Sequence, residues 1–285
     1  MPVARPGADM SDEPVRAAMA ERAARAGGVV ARKQFREPLD IETKANKNDF
    51  VTAADRDAQR QVIATIRQEF PSDPIVCEEE ATPPGASIEL ESELPESGPA
   101  WVVDPIDGTA NFVRGMRFWA TSIATVRNGE PVAAATYLPA LEDSYTAGPE
   151  SVTLNDNSMR VSDRTDPETF AISVLAWWPN QRADTYAGLY RAALRRFGDV
   201  RQLGCMQGVL ALVAAGSLEG VILRETPHPW DAIAGVHLVR RAGGTATDIH
   251  GEPWTHDSEG MVVSNGEAHD ELLGVFTAAD ELEVA

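Results

Sequence analysis

The sequence predicts an α/β protein in two parts, an α+β N-terminal half and an alternating α/β C-terminal half. Three observations predict it. Two β-like runs, Phe118 to Val126 and Pro131 to Leu138, flank Asn128-Gly129, a strong hairpin signal. Beyond Thr169, short apolar runs alternate with helical patterns, as in a layered α/β unit. Acidic residues close apolar runs or open helices at Glu78-Glu79-Glu80, at Asp104 with Asp107, and at Asp231.

In chain order, residues 1–12 are expected to be disordered. Ser11 or Asp12 can cap a helix from Glu13 to about Arg36, with Pro14 tolerated in its first turn. Val15, Met19, Ala23, Val29 and Val30 give it an apolar face, and Gly27-Gly28 is a place to bend or break it. Lys44 to Thr52 reads as an extended hairpin. A second helix is expected from Ala54 to Phe70, buried through Val62, Ile63 and Ile66 and followed by Pro71. Ile75-Val76-Cys77 reads as a buried strand. The Pro-, Gly-, Ser- and Glu-rich stretch 81–99 reads as a mobile loop, either a lid or a plain insertion.

Trp101-Val102-Val103 is a second buried strand, expected to stop at Asp104 because Pro105 cannot donate to a ladder. Leu154 to Ser162 is expected to return as antiparallel strand. The polar run Ser162 to Thr169 marks the boundary, giving an N-terminal domain over 13–165 and a C-terminal domain over 166–285. In the latter, strands at 170–176, 200–203, 220–223, 245–248 and 261–264 alternate with helices at 184–197, 206–215, 230–242 and 268–279.

Composition excludes several classes. The chain has 285 residues, 44 acidic against 25 basic, and a formal net charge of −19. Such a surface repels nucleic acid and anionic lipid. Lys33, Lys44 and Lys47 are its lysines, and the other basic residues are arginines. That choice suits a GC-rich genome and a high-salt cytoplasm alike. Cys77 and Cys205 form no disulfide framework. Met1 to Asp12 lacks the apolar run of a signal peptide, and no run approaches the ~18 residues of a membrane span, so a cytoplasmic location is expected.

Function concentrates in Asp104-Pro105-Ile106-Asp107-Gly108-Thr109-Ala110-Asn111-Phe112. Two carboxylates three residues apart at a strand end converge on one point, which is costly without a cation between them. The amides of Gly108, Thr109 and Ala110 open a helix, where an anion is favoured. A cation site beside an anion site is what metal-assisted phosphate chemistry requires. Five histidines, none in a zinc-like spacing, argue against zinc. Each acidic group also has a structural explanation: a solvated charge run at 78–80, turn capping at Asp104 and Asp107, and an N-cap at Asp231.

The whole string resembles the inositol monophosphatase family of magnesium-dependent, lithium-sensitive phosphatases. Three further segments carry the likeness in the family's order: Lys44-x4-Asp49-x-Val51-Thr52-x2-Asp55, Glu78-Glu79, and Trp230-Asp231-x2-Ala234-Gly235 with Ala242-Gly243-Gly244. The resemblance implies a layered α/β/α/β/α sandwich with its site between the halves. It implies two or three Mg²⁺ held by Glu78, Asp104, Asp107, Asp231 and the Ile106 carbonyl. Thr109, with Glu78 or Asp55, would orient the attacking water, and the Gly108 and Thr109 amides would hold phosphate. The implied reaction is direct hydrolysis of a small phosphate monoester, with no phospho-enzyme, by a homodimer. A catalytically silent, ligand-binding member of the same fold is the alternative.

The substrate-facing positions depart from the pattern. Where inositol-binding members carry Gly-(Ser/Thr)-Ala-Ala, this chain has Gly204-Cys205-Met206-Gln207. Where they carry Glu seven residues before the Trp-Asp aspartate, it has Arg224. A guanidinium there can bind a second phosphate or a carboxylate, favouring a sugar bisphosphate such as fructose 1,6-bisphosphate over inositol phosphate, or it can pair with a nearby acid. Glu225 is a candidate to replace the missing carboxylate. Cys205 and Met206 join Asp107, Gly108, Thr109, Arg224 and Asp231 as candidate substrate contacts, with Met206 equally suited to core filling. Asn155-Asp156-Asn157 replaces the family's Asn-Gly turn, and Asn or Asp can adopt the positive φ it needs.

Overall fold

A computed structural model describes residues 12–38, 41–43, 50–79, 90–91, 93–176 and 182–283. The expected disorder of 1–12, except Asp12, lies outside the described residues. So do Lys44 and Asp49 and most of the proposed lid.

The first portion contains helix α1 (Glu13–Gln34), strands β1 (Ile41–Thr43) and β2 (Phe50–Thr52), and helix α2 (Ala53–Ile66). Strands β3 (Ile75–Cys77) and β4 (Pro99–Asp107) and the short helix α3 (Thr109–Val113) follow. Strands β5 (Ala120–Arg127), β6 (Glu130–Leu138), β7 (Asp143–Ala147), β8 (Val152–Leu154) and β9 (Asn157–Ser158) complete it. β3 to β9 form a seven-stranded sheet in sequence order, antiparallel except for the β3–β4 pair. β1 and β2 pair separately.

The second portion contains β10 (Ala171–Val174), α4 (Ala183–Arg196), β11 (Asp199–Arg201), α5 (Met206–Ala214), β12 (Gly220–Leu223), α6 (Pro229–Arg241), β13 (Thr245–Thr247), β14 (Met261–Ser264) and α7 (His269–Glu283). Its five-stranded sheet has the order β11-β10-β12-β14-β13, with β14 antiparallel to both neighbours.

Five layers result. α1 and α2 cover one face of the large sheet, α5 and α6 lie between the sheets, and α4 and α7 cover the far face of the small one. β4 shows why its sequence is a continuous apolar run. Trp101 and Val103 pack toward α1 and α2, while Ala100 and Val102 pack toward α5 and α6, so both faces are dry.

Several expectations are corrected. β4 does not stop at Asp104 but runs to Asp107, because its register with β5 breaks between those residues. Pro105 falls in that bulge, where no ladder donor is required, and its carbonyl accepts from the Thr121 hydroxyl at 2.8 Å. Asp12 occupies the N-cap of α1 but makes no capping bond; its carboxylate receives Arg16 and Arg127 instead. Gly27-Gly28 does not break α1, and Val15 and Val29 point to solvent. The buried face is the small-residue side, Ala20, Ala23, Ala24, Gly27, Gly28 and Ala31. β7 has no counterpart in the sequence pattern, and the expected strand over 154–162 is a tight β8–β9 hairpin. Its turn residues Asn155 and Asp156 have φ of 48° and 65°, as the sequence allows.

Candidate active site

Two elements bring three carboxylates to one point. β4 delivers Asp104 and Asp107 at its C-terminal end, and α6 delivers Asp231 in its first turn. One oxygen from each lies within 4.8 Å of the others. Asp231 is not an N-cap, since His228 holds that position and Pro229 opens the helix. Glu78 follows β3, fixed by its amide donating to the Val103 carbonyl at 3.1 Å. The next residue is clasped by the buried side chain of Gln59. Its Nε2 donates to the Glu79 carbonyl at 2.6 Å, and its Oε1 accepts from the Glu79 amide at 3.1 Å.

Within the cluster, burial and neighbouring carboxylates act in the same direction. Burial, then Glu78, Asp107 and Asp231, push the Asp104 carboxyl well above the usual carboxylate range. Asp104 Oδ1 is buried and, among the described residues, accepts no hydrogen bond. Asp107 is also raised by burial, but donors work against that shift. Its Oδ1 accepts from the Met206 amide at 3.0 Å. Its Oδ2 accepts from the Gln207 amide at 2.6 Å and from the Cys205 thiol at 2.9 Å. Converging carboxylates with an orphaned buried oxygen fit a hard divalent cation, for which oxygen is the preferred donor.

Beside the cluster stands a hydroxyl–carboxylate pair. Asp55 closes the capping box of α2, its Oδ2 accepting from the Thr52 amide at 2.8 Å and the Thr52 hydroxyl at 2.7 Å. That leaves Oδ1 facing the Thr109 hydroxyl at 3.2 Å. The same hydroxyl lies 3.0 Å from the Ile106 carbonyl oxygen. Burial, then the charge of Glu78, lifts the Asp55 carboxyl to about 7, in the range a general base needs.

The turn between β4 and α3 depends on Gly108, at φ 85°. A Cβ there would sit 2.9 Å from the Gly204 carbonyl oxygen and 3.0 Å from the Cys205 Cβ. The loop before α5 is therefore pressed directly onto the acidic turn. Asn111 locks it, with Nδ2 donating to the carbonyls of Phe118 and Leu203, each at 2.7 Å.

The remaining candidates fall differently. Cys205 and Met206 are buried in the core at the start of α5. Arg224, at the end of β12, pairs with Asp280 of α7 at 2.8 Å. Glu225 receives the Tyr186 hydroxyl and Arg182. A cleft of about 670 Å³ at the sheet crossover, between Leu154 and Arg164 and against Gly216, includes none of the clustered carboxylates. The sequence names no role for Gln59 or Asn111, and it marks Gln207 only as the end of the Gly204–Gln207 departure at the substrate-facing positions. Asn111 stood inside the quoted string, and that position was the available signal.

Comparison with known proteins agrees with this geometry. The sequence model of the inositol monophosphatase family matches residues 12–281. The fructose-1,6-bisphosphatase/inositol-1-monophosphatase of Thermotoga maritima is 31% identical, covering 85% of this chain and 88% of its own. The inositol-1-monophosphatase of Bacillus subtilis is 30% identical, covering 92% and 96%. The Nus factor SuhB of Escherichia coli is 33% identical, covering 82% and 85%. Among solved structures, a Thermotoga maritima IMPase superimposes with a TM-score of 0.83 at 29% identity, covering 95% of this chain and 100% of that one. With five layers, a strand-end acid cluster and these relatives in agreement, the chain belongs to the inositol monophosphatase family and is a phosphoric monoester hydrolase.

Proposed function

We propose that the chain hydrolyses a small phosphorylated metabolite, an inositol phosphate or a sugar (bis)phosphate such as fructose 1,6-bisphosphate, with Mg²⁺ as cofactor. One observation carries this most directly. The buried Oδ1 of Asp104, without a hydrogen-bond partner among the described residues, sits among clustered carboxylates beside the Thr109–Asp55 pair. Glu78, Asp104, Asp107, Asp231 and the Ile106 carbonyl are the residues to hold two or three ions. When bound, Mg²⁺ neutralises phosphate charge and acidifies water.

The chain's own groups do the rest. Thr109 Oγ1 accepts a hydrogen bond from the attacking water while passing its own proton toward Asp55 Oδ1, so the water is oriented and deprotonated in one relay. Glu78 stands beside the cluster as a second acceptor. The Gly108 and Thr109 amides hold the phosphate, and Asp107 keeps the α5 loop against that turn. Water attacks phosphorus directly, with no phospho-enzyme. Arg224 supports a bisphosphate only if it leaves Asp280, so its ion pair weighs toward a monophosphate. The proposed assembly is a cytoplasmic homodimer. A net charge of −19 argues against a nucleic-acid ligand. A silent, ligand-binding member would have no need of the Thr109–Asp55 relay.

A phosphate-release panel tests this with inositol 1-phosphate, fructose 1,6-bisphosphate, a nucleotide 3′,5′-bisphosphate, histidinol phosphate and glycerol phosphate. It is run with and without Mg²⁺, at low and multimolar KCl. Turnover of at least one ester, lost on chelation, is expected. Asp104→Asn is expected to abolish that turnover while the protein stays folded. No turnover across the panel would sink the enzymatic reading, and near-normal rates in Asp104→Asn would remove its metal role.

A further inference from the structure

Gln207 connects the two elements that carry the acidic cluster. Its side chain is fully buried. Its backbone amide donates to Asp107 Oδ2 at 2.6 Å. Its side chain reaches the other way, with Nε2 donating to the Trp230 carbonyl at 2.6 Å and Oε1 accepting from the Gly235 amide at 2.7 Å. Trp230 immediately precedes Asp231. Gly235 makes room for the grip, since a Cβ there would lie 2.9 Å from Gln207 Oε1 and 2.4 Å from the Leu210 Cβ.

We propose that Gln207 is a positioning residue. By holding Asp107 with its main chain and the residue before Asp231 with its side chain, it fixes the separation of these two acids and so sets the site's affinity for its divalent cation. The reason is mechanical and electrostatic. Clustered carboxylates repel, and the easy relaxation is for α6 to slide along α5 and carry Asp231 away. An alanine at this position supplies the main-chain bond but nothing to resist the slide. Gln207 adds two short side-chain bonds across the α5–α6 contact, each in a dry environment where a broken bond leaves an unsatisfied group. It touches neither substrate nor cation, so its effect is on where the ligands stand.

The proposal rests on the metal-dependent reading above, and Mn²⁺ binding separates the two. Mn²⁺ uptake by the full-length, metal-free protein is followed by electron paramagnetic resonance. The proteins are wild type, Gln207→Met, which keeps the reach and removes both side-chain bonds, and Gln207→Glu, which keeps the acceptor and loses the donor. Thermal unfolding identifies folded protein. The expected result is Mn²⁺ affinity about 10–100-fold weaker in both variants, the scale seen when groups supporting metal ligands are removed. The half-saturating Mg²⁺ for phosphate release should rise in parallel, with substrate KM at saturating Mg²⁺ unchanged. Affinity within about twofold of wild type in either folded variant overturns the proposal and leaves the phosphatase reading intact. A wild-type protein that takes up no Mn²⁺ at all overturns both.

Discussion

At Thr109, one hydroxyl stands between the Asp55 carboxylate and the Ile106 carbonyl, and its single proton can serve only one at a time. Replacing it tests the relay without touching the acid cluster. Thr109→Ala should lower kcat by about 10²- to 10⁴-fold, the usual worth of a positioned proton-transfer group, while Mn²⁺ affinity holds. Thr109→Ser should restore most of the rate; equal rates in all three proteins would remove the hydroxyl from the mechanism. Thr109 was legible because it sits in a specific string. Asp55 was half legible. Thr52-x2-Asp55 is legible as part of the family string, but only the fold shows that it forms a capping box that engages one oxygen and leaves the other facing Thr109. Gln207 was not legible, because its partners lie 23, 28 and 100 residues away and no local period encodes them.

At the scale of elements, α1 shows how local propensity misleads. Gly27-Gly28 looks like a break, yet the helix runs through because glycine there permits close packing. A Cβ on Gly28 would lie 2.6 Å from the Tyr137 ring and 2.7 Å from Pro139 Cγ. Gly28→Ala gains about 1 kcal/mol of helix propensity and meets an overpacking cost of about 1–3 kcal/mol. A net loss of about 1 kcal/mol in urea unfolding is expected, and a more stable variant would refute the packing account. On α6, burial, then Arg241 and Arg240, lower the His237 imidazole to about 4. Its Nε2 is buried and has no hydrogen-bond partner among the described residues. The folded state therefore resists protonation that the unfolded chain accepts below its ordinary pKa. The stability tied to neutral His237 is complete above about pH 6.5 and is lost as pH falls through 4, on the order of 3 kcal/mol in all. His237→Leu should flatten this acid limb relative to wild type; parallel pH profiles would show that His237 does not contribute. The alternation of strands and helices after Thr169 was readable from hydrophobic runs. The length of β4 was not, because a bulge can hide a proline that sequence rules treat as a stop.

For the whole molecule, net charge and buried acids point the same way. With −19 overall and an acidic cluster between the layers, the metal-free protein carries repulsion that a cation relieves. Mg²⁺ at a hundred times its dissociation constant should raise stability by about 2.7 kcal/mol, read as an increase in Tm that chelation reverses. Absence of that increase would show that the folded protein does not bind the cation in preference to the unfolded chain. The five-layer arrangement was expected only through family resemblance. Composition and periodicity reached two kinds of half, and could not state that α5 and α6 are the layer both sheets share. That shared layer also orders events in time. A ribosome delivers Glu78, Asp104, Asp107 and Thr109 first, on and beside the seven-stranded sheet, and Asp231 only with α6. A nascent chain that ends before α6 owns the relay and most of the proposed cage but not its last wall. On the proposed ligand set, a product truncated before α6 is expected to release no phosphate from any ester.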